Sequence, residues 1–566
     1  MPEPQRRYLR SRLRLGLTAR LRCAELAIHR FGNEEVLAVP IGDDCPTPLA
    51  RSEVDSLRSC NRWLPAAEHA ARLAAQHGGT PDAWALTIAR WTDAGLLDRL
   101  DSALHLSNSD TGGYDAVAII TRDRPELIAR MLGDVAREGP ASVHVFDQST
   151  DPDLQRRVRE AVLECSPQAN LHDLHRTREH TRARARDLGI DEDIALSAVL
   201  PEPGAFSGGA NRNAMMLALR GKRVLVFDDD MRLAMAPSPQ GTDAVRVSSR
   251  PDPSTFWFPS EQVEVVRHGV LATLAQHLGR SAHSLVTDVE ASWWDDVTPA
   301  LYRKLATADV TATSFGTLGD SGLGSNYAYL YLSGAALQRA ASEPATWERL
   351  RTSRQLQRSA DRVVLTPGPH LMGGAMGLDL RRTLPPFPPV GRGEDGVFGR
   401  LLSLSDDAVI AHLPWALLHA PVPARRADPA DAIAVPSRLP AIDLLGLALH
   451  NRRFPPSVLP ADRMRRLGQD IEAIGRHSEG ALKDAIAHLW WRRCGRVIGD
   501  LERQLEQPGT CRGWQQDVRS ALEATRSAAT SPPEPEPDRK TAQSRLRRFG
   551  RLLQVWPELF APSADG

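Results

Sequence analysis

The chain has 566 residues, too many for one hydrophobic core, and its 42% apolar and 25% charged content is that of a globular protein of about three domains. Its 70 basic residues balance 70 acidic ones, so no global charge draws it to nucleic acid or to an anionic membrane. No stretch approaches about 18 uninterrupted apolar residues, which predicts no transmembrane helix.

Only four of the basic residues are lysine (Lys222, Lys304, Lys483, Lys540), a bias that points to GC-rich coding rather than to phosphate binding. Six scattered cysteines (Cys23, Cys45, Cys60, Cys165, Cys494, Cys511) without C-x-x-C spacing suit a reducing compartment and exclude a cysteine zinc site. Residues 1–14 are arginine-rich and lack the apolar core of a signal peptide. The expected location is therefore the cytoplasm.

Residues 1–108 read as a small α+β domain. Residues 21–31 and 36–41, separated by Gly32-Asn33, predict a hairpin. A helix is predicted over 66–77, and another from Thr80-Pro81, a hydroxyl cap followed by proline at the first helical position, to Gly95. With the closing AGLLDRL (94–100), the pattern resembles a winged helix-turn-helix and the peptide-recognition domains of ribosomal-peptide maturation enzymes; a structural cap domain is the alternative. Residues 107–113 form a polar, glycine-containing joint.

Beyond the joint, strands and helices alternate. A strand is predicted over 117–121, then a helix opened by Asp123-Arg124-Pro125 with Leu127, Ile128, Met131, Leu132 and Val135 at helical spacing. A second strand covers 143–146, and a glycine-led helix runs from Gly208 to Gly221. The apolar run 224–227 then ends in Asp228-Asp229-Asp230. Such units imply α/β architecture with a doubly wound, mostly parallel sheet. On a strand, Asp228 and Asp230 would share one face and Asp229 the other, and two such carboxylates can hold Mg²⁺ or Mn²⁺ together with a diphosphate. Residues 231–310 read as an irregular insertion. Gly316 and Gly324 bracket a candidate acceptor loop, and Trp257, Trp293 and Trp294 are either sugar-stacking or core residues. The chain from about 426 is predicted mostly helical, interrupted by an extended, solvated linker SPPEPEP (531–537). A basic amphipathic helix near 545–553 reads as a docking helix, with peripheral contact to a partner or membrane face as the alternative.

Five motifs in order, across residues 115–422, resemble family 2-type glycosyltransferases of the GT-A fold: VAIITRDRPE (117–126), VFDQSTD (145–151), NRN (211–213), FDDDM (227–231), and GGAMGLDLR (373–381) followed by GEDGVFGRLL (393–402). The resemblance implies a GT-A catalytic domain over 109–425 and transfer of a sugar from a nucleotide-sugar donor, a UDP-sugar first, with Mn²⁺ or Mg²⁺. It makes Asp228 and Asp230 metal ligands, with His419 in ALLHAP (416–421) as a third; His412 is the weaker candidate. Thr121, Arg122, Arg124 and Arg212 are then placed to contact base or diphosphate, Asp147 and Ser149 base and ribose, and Asp229 the ribose unless it is structural. Asp395 is implied as the general base of an inverting displacement, with Glu394 beside it as alternative base or acceptor-orienting group. Both carboxylates open a predicted helix, whose positive end favours their ionised form. A retaining enzyme and a catalytically silent binding module remain as alternatives. The acceptor stays open among peptide or protein, glycan and metabolite, with no nucleic-acid partner expected.

Overall fold

The computed structural model describes residues 20–561 except 25, 31–33, 41–45, 101–111, 243, 251, 260–261, 287–296, 299–300, 302–303, 306, 321–325, 369, 407, 424–438, 451 and 456–457. The segment 1–14, Cys45, Trp293, Trp294 and most of the 107–113 joint lie outside the described residues.

In the first unit the hairpin forms, Leu26–Arg30 pairing with Glu35–Pro40 so that Arg30 faces Val36. The predicted 21–31 strand is divided, however: Arg20–Cys23 belongs to another sheet, between Leu64–Pro65 and Leu97–Leu100. Helices occupy Ala66–His77 and Pro81–Asp93, the latter capped by Thr80, whose Oγ1 accepts from Ala83 N. A further helix, Arg51–Arg58, has too few apolar residues to stand out by pattern. The unit docks through Trp63, which is fully buried among core residues of the large sheet and donates its indole N–H to Val297 O at 2.9 Å.

The large sheet has twelve strands: β1 (Ala116–Thr121), β2 (Val143–Asp147), β3 (Asn170–His172), β4 (Arg223–Asp228), β5 (Met231–Pro237), β6 (Val245–Val247), β7 (Thr255–Trp257), β8 (Val310–Asp320), β9 (Gln355–Ser359), β10 (Val363–Thr366), β11 (Ala375–Asp379) and β12 (Val409–His419). The main order is β6-β10-β12-β8-β11-β4-β1-β2-β3. The run β4-β1-β2-β3 is wholly parallel, whereas antiparallel pairs are interleaved on the β11 side. Segment 231–310 is woven in rather than inserted, since β5 pairs with β12, β6 with β10 and β7 with β9.

Both faces of the sheet are covered at β1 and β4, which is why these strands read as near-continuous apolar runs. Along β1, Ala116, Ala118 and Ile120 enter one core while Val117 and Ile119 enter the other. Along β4, Val224 and Val226 are divided from Leu225 and Phe227 in the same way. Helices α1 (Pro125–Glu138) and α2 (Pro152–Cys165) cover one face, and the five apolar positions predicted in α1 are all buried. After α3 (Leu174–Asp187) and α4 (Glu192–Val199), α5 (Gly208–Ala218) and later α6 (Glu394–Ser405) cover the other.

Four long helices follow: α7 (Pro460–Gly475), α8 (Glu479–Leu505), α9 (Arg512–Ala529) and α10 (Arg539–Phe560). α7 and α10 join the sheet's core, crossing where a Cβ on Gly468 would lie 2.5 Å from Gly550 O. α8 and α9 build a separate core with residues 329–356. Two expected segments take definite positions here. The 531–537 segment, mostly exposed, is anchored at one point, where Pro535–Glu536 pairs with Leu439–Pro440 and Pro535 is buried. The apolar side of 545–553 is buried in the core, with Leu546, Phe549, Leu552 and Leu553 almost fully covered, so it offers no apolar face to a membrane. Among the described residues no helix is long and apolar enough to cross one.

Candidate active site

Strand register brings the site together. Parallel pairing sets Thr121 against Asp147 and Asp228 against Ile120, so β1, β2 and β4 end level with each other. Sheets of this kind place ligands at that carboxyl edge. The antiparallel pairing of β5 with β12 sets Met231 opposite His419, which carries an imidazole from nearly 200 residues away to the aspartates.

The three aspartates do not alternate as a strand would have them. β4 stops at Asp228, and Asp229 and Asp230 form the turn into β5. Asp228 Oδ1 accepts from Arg212 Nη2 at 2.6 Å, yet its side chain remains 32% exposed. Asp229 turns into the protein, where Thr121 Oγ1 donates to Oδ2 at 2.7 Å and Arg124 Nη1 to Oδ1 at 2.9 Å. Burial pushes the Asp229 carboxyl up to about 6, against the pull of Arg124 and the Thr121 hydroxyl. Both of its carboxylate oxygens are thus engaged by protein groups. Asp230 Oδ2 lies 3.4 Å from Arg124, and its Oδ1 lies 3.3 Å from His419 Nε2.

His419 is oriented from behind. Its Nδ1 lies 2.7 Å from Asp320 O, a carbonyl that can only accept, so Nδ1 carries the hydrogen and Nε2 turns its lone pair toward Asp230. Two lone pairs 3.3 Å apart need a cation between them. Burial alone would lower the imidazole's pKa, but the bond to Asp230 and its charge outweigh that and raise it. A metal-bound histidine has the same arrangement, its second N–H held by a carbonyl. Among the described residues no three His, Cys, Asp or Glu side chains converge into a ready cage. Mn²⁺ or Mg²⁺ that keeps waters and takes one or two carboxylates requires none. Asp230 and His419 form one close pair, and the half-open Asp228 ends β4 two residues before Asp230.

Arg212, on the first turns of α5, joins this acid group to the second one. Its Nη1 donates to Glu394 Oε1 at 2.9 Å and its Nη2 to Gly373 O at 3.0 Å, besides Asp228. Helix α5 approaches closely because its first residues are glycines: a Cβ on Gly209 would lie 2.0 Å from Pro388 O, and one on Gly208 2.9 Å from Glu394 Oε1. Asn211 ties the same turn to Thr121 O and Phe146 O at the strand ends. Burial drives the Glu394 carboxyl up to about 7; Arg212 opposes this and the neighbouring Asp395 adds to it. Asp395, more open, accepts from Gly373 N at 2.9 Å and from Gly396 N at 2.8 Å. One residue, Gly373, therefore separates the Arg212–Asp228 pair from Asp395.

The remaining sequence candidates divide. Asp147 is buried and accepts from both the Ser149 hydroxyl (2.6 Å) and its amide; burial lifts it to about 6. Ser149 also accepts from Asp123 N, holding Asp123 at φ 57°, so this pair shapes the β1–α1 and β2–α2 turns. Arg122 points away from the aspartates, donating to Ser207 Oγ at 2.9 Å and Ala205 O at 3.3 Å. His412 is remote, bonded to Thr366 Oγ1 and held down to about 3 by burial. Gly316 and Gly319 sit in strand β8, not in a loop; residues 321–324 lie outside the described residues. One ring face of Trp257 is covered by the Arg339 guanidinium at 3.8 Å.

Asp320 and Arg354 escaped sequence reading. Asp320 O orients His419, and Arg354 Nη2 holds the Asp320 carboxylate at 2.8 Å. Neither stands in a motif; only the β8–β12 register, which sets Gly319 against His419, reveals them. No family model matches the chain, and no curated protein matches it.

Proposed function

We propose that the chain is a metal-dependent glycosyltransferase that moves a sugar from a nucleotide-sugar donor, a UDP-sugar first, to an acceptor hydroxyl with inversion. One observation carries this reading: Asp230 pairs with His419 at the carboxyl edge of the parallel strands, where β4 ends in Asp228, and Asp395 stands one glycine away from Asp228 through the Arg212–Gly373 link.

Asp228, Asp230 and His419 would hold Mn²⁺ or Mg²⁺, whose contribution is to neutralise charge on the departing diphosphate. Arg124, half exposed above Asp229 and Asp230, adds a positive group for the same phosphates. Asp395 takes the proton of the acceptor hydroxyl as that oxygen bonds to the anomeric carbon. The bond from that carbon to the diphosphate oxygen breaks, and its electron pair leaves with the nucleoside diphosphate. Glu394, buried and bonded to Arg212, is less open to an acceptor than Asp395 and suits orienting Arg212 or the acceptor.

The test is a panel of sugar nucleotides with Mn²⁺ in a thermal-shift assay, followed by turnover with the stabilising donor. Asp395→Asn is expected to keep donor and Mn²⁺ binding while losing at least about 100-fold in kcat. Asp230→Ala is expected to lose Mn²⁺-dependent donor binding. Wild-type donor consumption by both variants refutes the proposal.

A further inference from the structure

A cavity of about 530 Å³ opens between α4, α10 and the segments 388–390 and 441–445. That volume lies within the roughly 300–1,000 Å³ of small-molecule sites, which favour junctions between packed units. Its walls are apolar, formed by Leu196, Leu200, Ile442, Leu445, Phe549 and Leu552, several of them among the most buried residues of α10 and its neighbours. Four ionisable side chains line it, Asp193, Glu202, Arg545 and Arg548, two of each sign, and Arg545 is already paired with Glu202. The lining thus carries no net charge to recognise an anion or a cation.

Two of its walls run directly into the candidate active site. The 200–203 segment continues to Phe206 and to Ser207, which holds Arg122. The 388–390 segment continues to Gly391, whose N–H donates to Phe206 O at 2.9 Å, and then to Glu394. Phe206 is 41% exposed, has the Arg392 guanidinium 4.8 Å from its ring centre, and shares with Glu394 the space beside Gly208, where a Cβ would lie 2.9 Å from each.

We propose that this cavity is a binding site for the uncharged, apolar body of a small molecule, lying beside the candidate active site. The size, the apolar walls and the balanced charges all favour that occupant over an amphiphilic anion. The site does not depend on the chain being a glycosyltransferase, and its test uses neither donor nor metal.

N-Phenyl-1-naphthylamine is titrated into the full-length chain in EDTA and followed by its emission. The matched anion 1-anilinonaphthalene-8-sulfonate serves as the comparison. Saturable binding of one neutral probe per chain is expected, with the anion at least tenfold weaker. Ser197→Trp, which fills the cavity from α4, is expected to weaken the neutral probe at least tenfold without lowering Tm. Val390→Trp, on the opposite loop, gives the same readout should the α4 variant fold poorly. Absence of saturable binding, unchanged binding in a folded filling variant, or equal affinity for the anion overturns the proposal. Binding that arises only after deletion of residues 1–19 would assign the cavity to the chain's own amino-terminal segment. A stoichiometry of one probe per two chains that follows self-association would assign it to a second copy. Either result also overturns the proposal.

Discussion

Arg124 and a divalent ion compete for the same acid group, and removing the arginine should move two measurements in opposite directions. Arg124 Nη1 lies 2.9 Å from Asp229 Oδ1 and 3.4 Å from Asp230 Oδ2. At an effective dielectric of about 20, charges about 3 Å apart would interact by about 5 kcal/mol. Because 47% of the Arg124 side chain is exposed, solvent screening reduces that to about 1 kcal/mol, the upper range for exposed pairs. Arg124→Ala is therefore expected to tighten Mn²⁺ binding by about fivefold, the equivalent of about 1 kcal/mol. Mn²⁺ titration of donor-free protein at pH 7.5, followed by electron paramagnetic resonance, measures this directly. Turnover should fall in the same variant, because a positive contact to the diphosphate is lost. Weaker or unchanged Mn²⁺ binding would refute the idea that Asp230 serves guanidinium and metal in turn.

Arg212→Met leaves Asp228 and the buried Glu394 without their shared partner and is expected to cost about 3–5 kcal/mol in urea unfolding. Adding Glu394→Gln should restore part of that loss, and a cost below about 1 kcal/mol would contradict the network. Acid should destabilise the sheet through His144 and His172, whose rings share a 3.0 Å hydrogen bond. Burial holds them down to about 4 and about 3. The unfolded rings, with pKa near 6.5, bind protons first as pH falls, so this stability is intact above about 6.5 and is lost as pH drops toward 4. Tm measured from pH 7 to pH 4.5 should fall, and a His144→Gln/His172→Gln variant should flatten the slope. Gly316→Ala would place a Cβ 1.8 Å from Arg358 O and should lose about 1–3 kcal/mol or more. Gly396→Ala, in helix α6 with open space at its Cβ, should gain up to about 1 kcal/mol by the same unfolding assay.

What the sequence determined by itself are the features set by local chemistry. Apolar runs fixed β1, β2 and β4 because a strand buried on both faces has no polar side to show. Caps and prolines marked the starts of α1 and of the Pro81–Asp93 helix, since those positions have donors or dihedrals that few residues satisfy. The acid cluster was legible for the same reason: Asp228, Glu394 and Asp395 stand at strand or helix ends, where backbone geometry is written in short motifs. Tertiary structure alone decided the rest. Asp229 and Asp230 leave strand alternation because β4 stops one residue after Phe227. Gly316 must be glycine because β9 passes too close for any side chain, and Pro535 is buried because Leu439–Pro440 offers Pro535–Glu536 a partner. Pairing between segments far apart in the chain brings His419 to Asp230 and Asp320 O to His419. Such register is an outcome of whole-sheet packing, and no local run of residues encodes it.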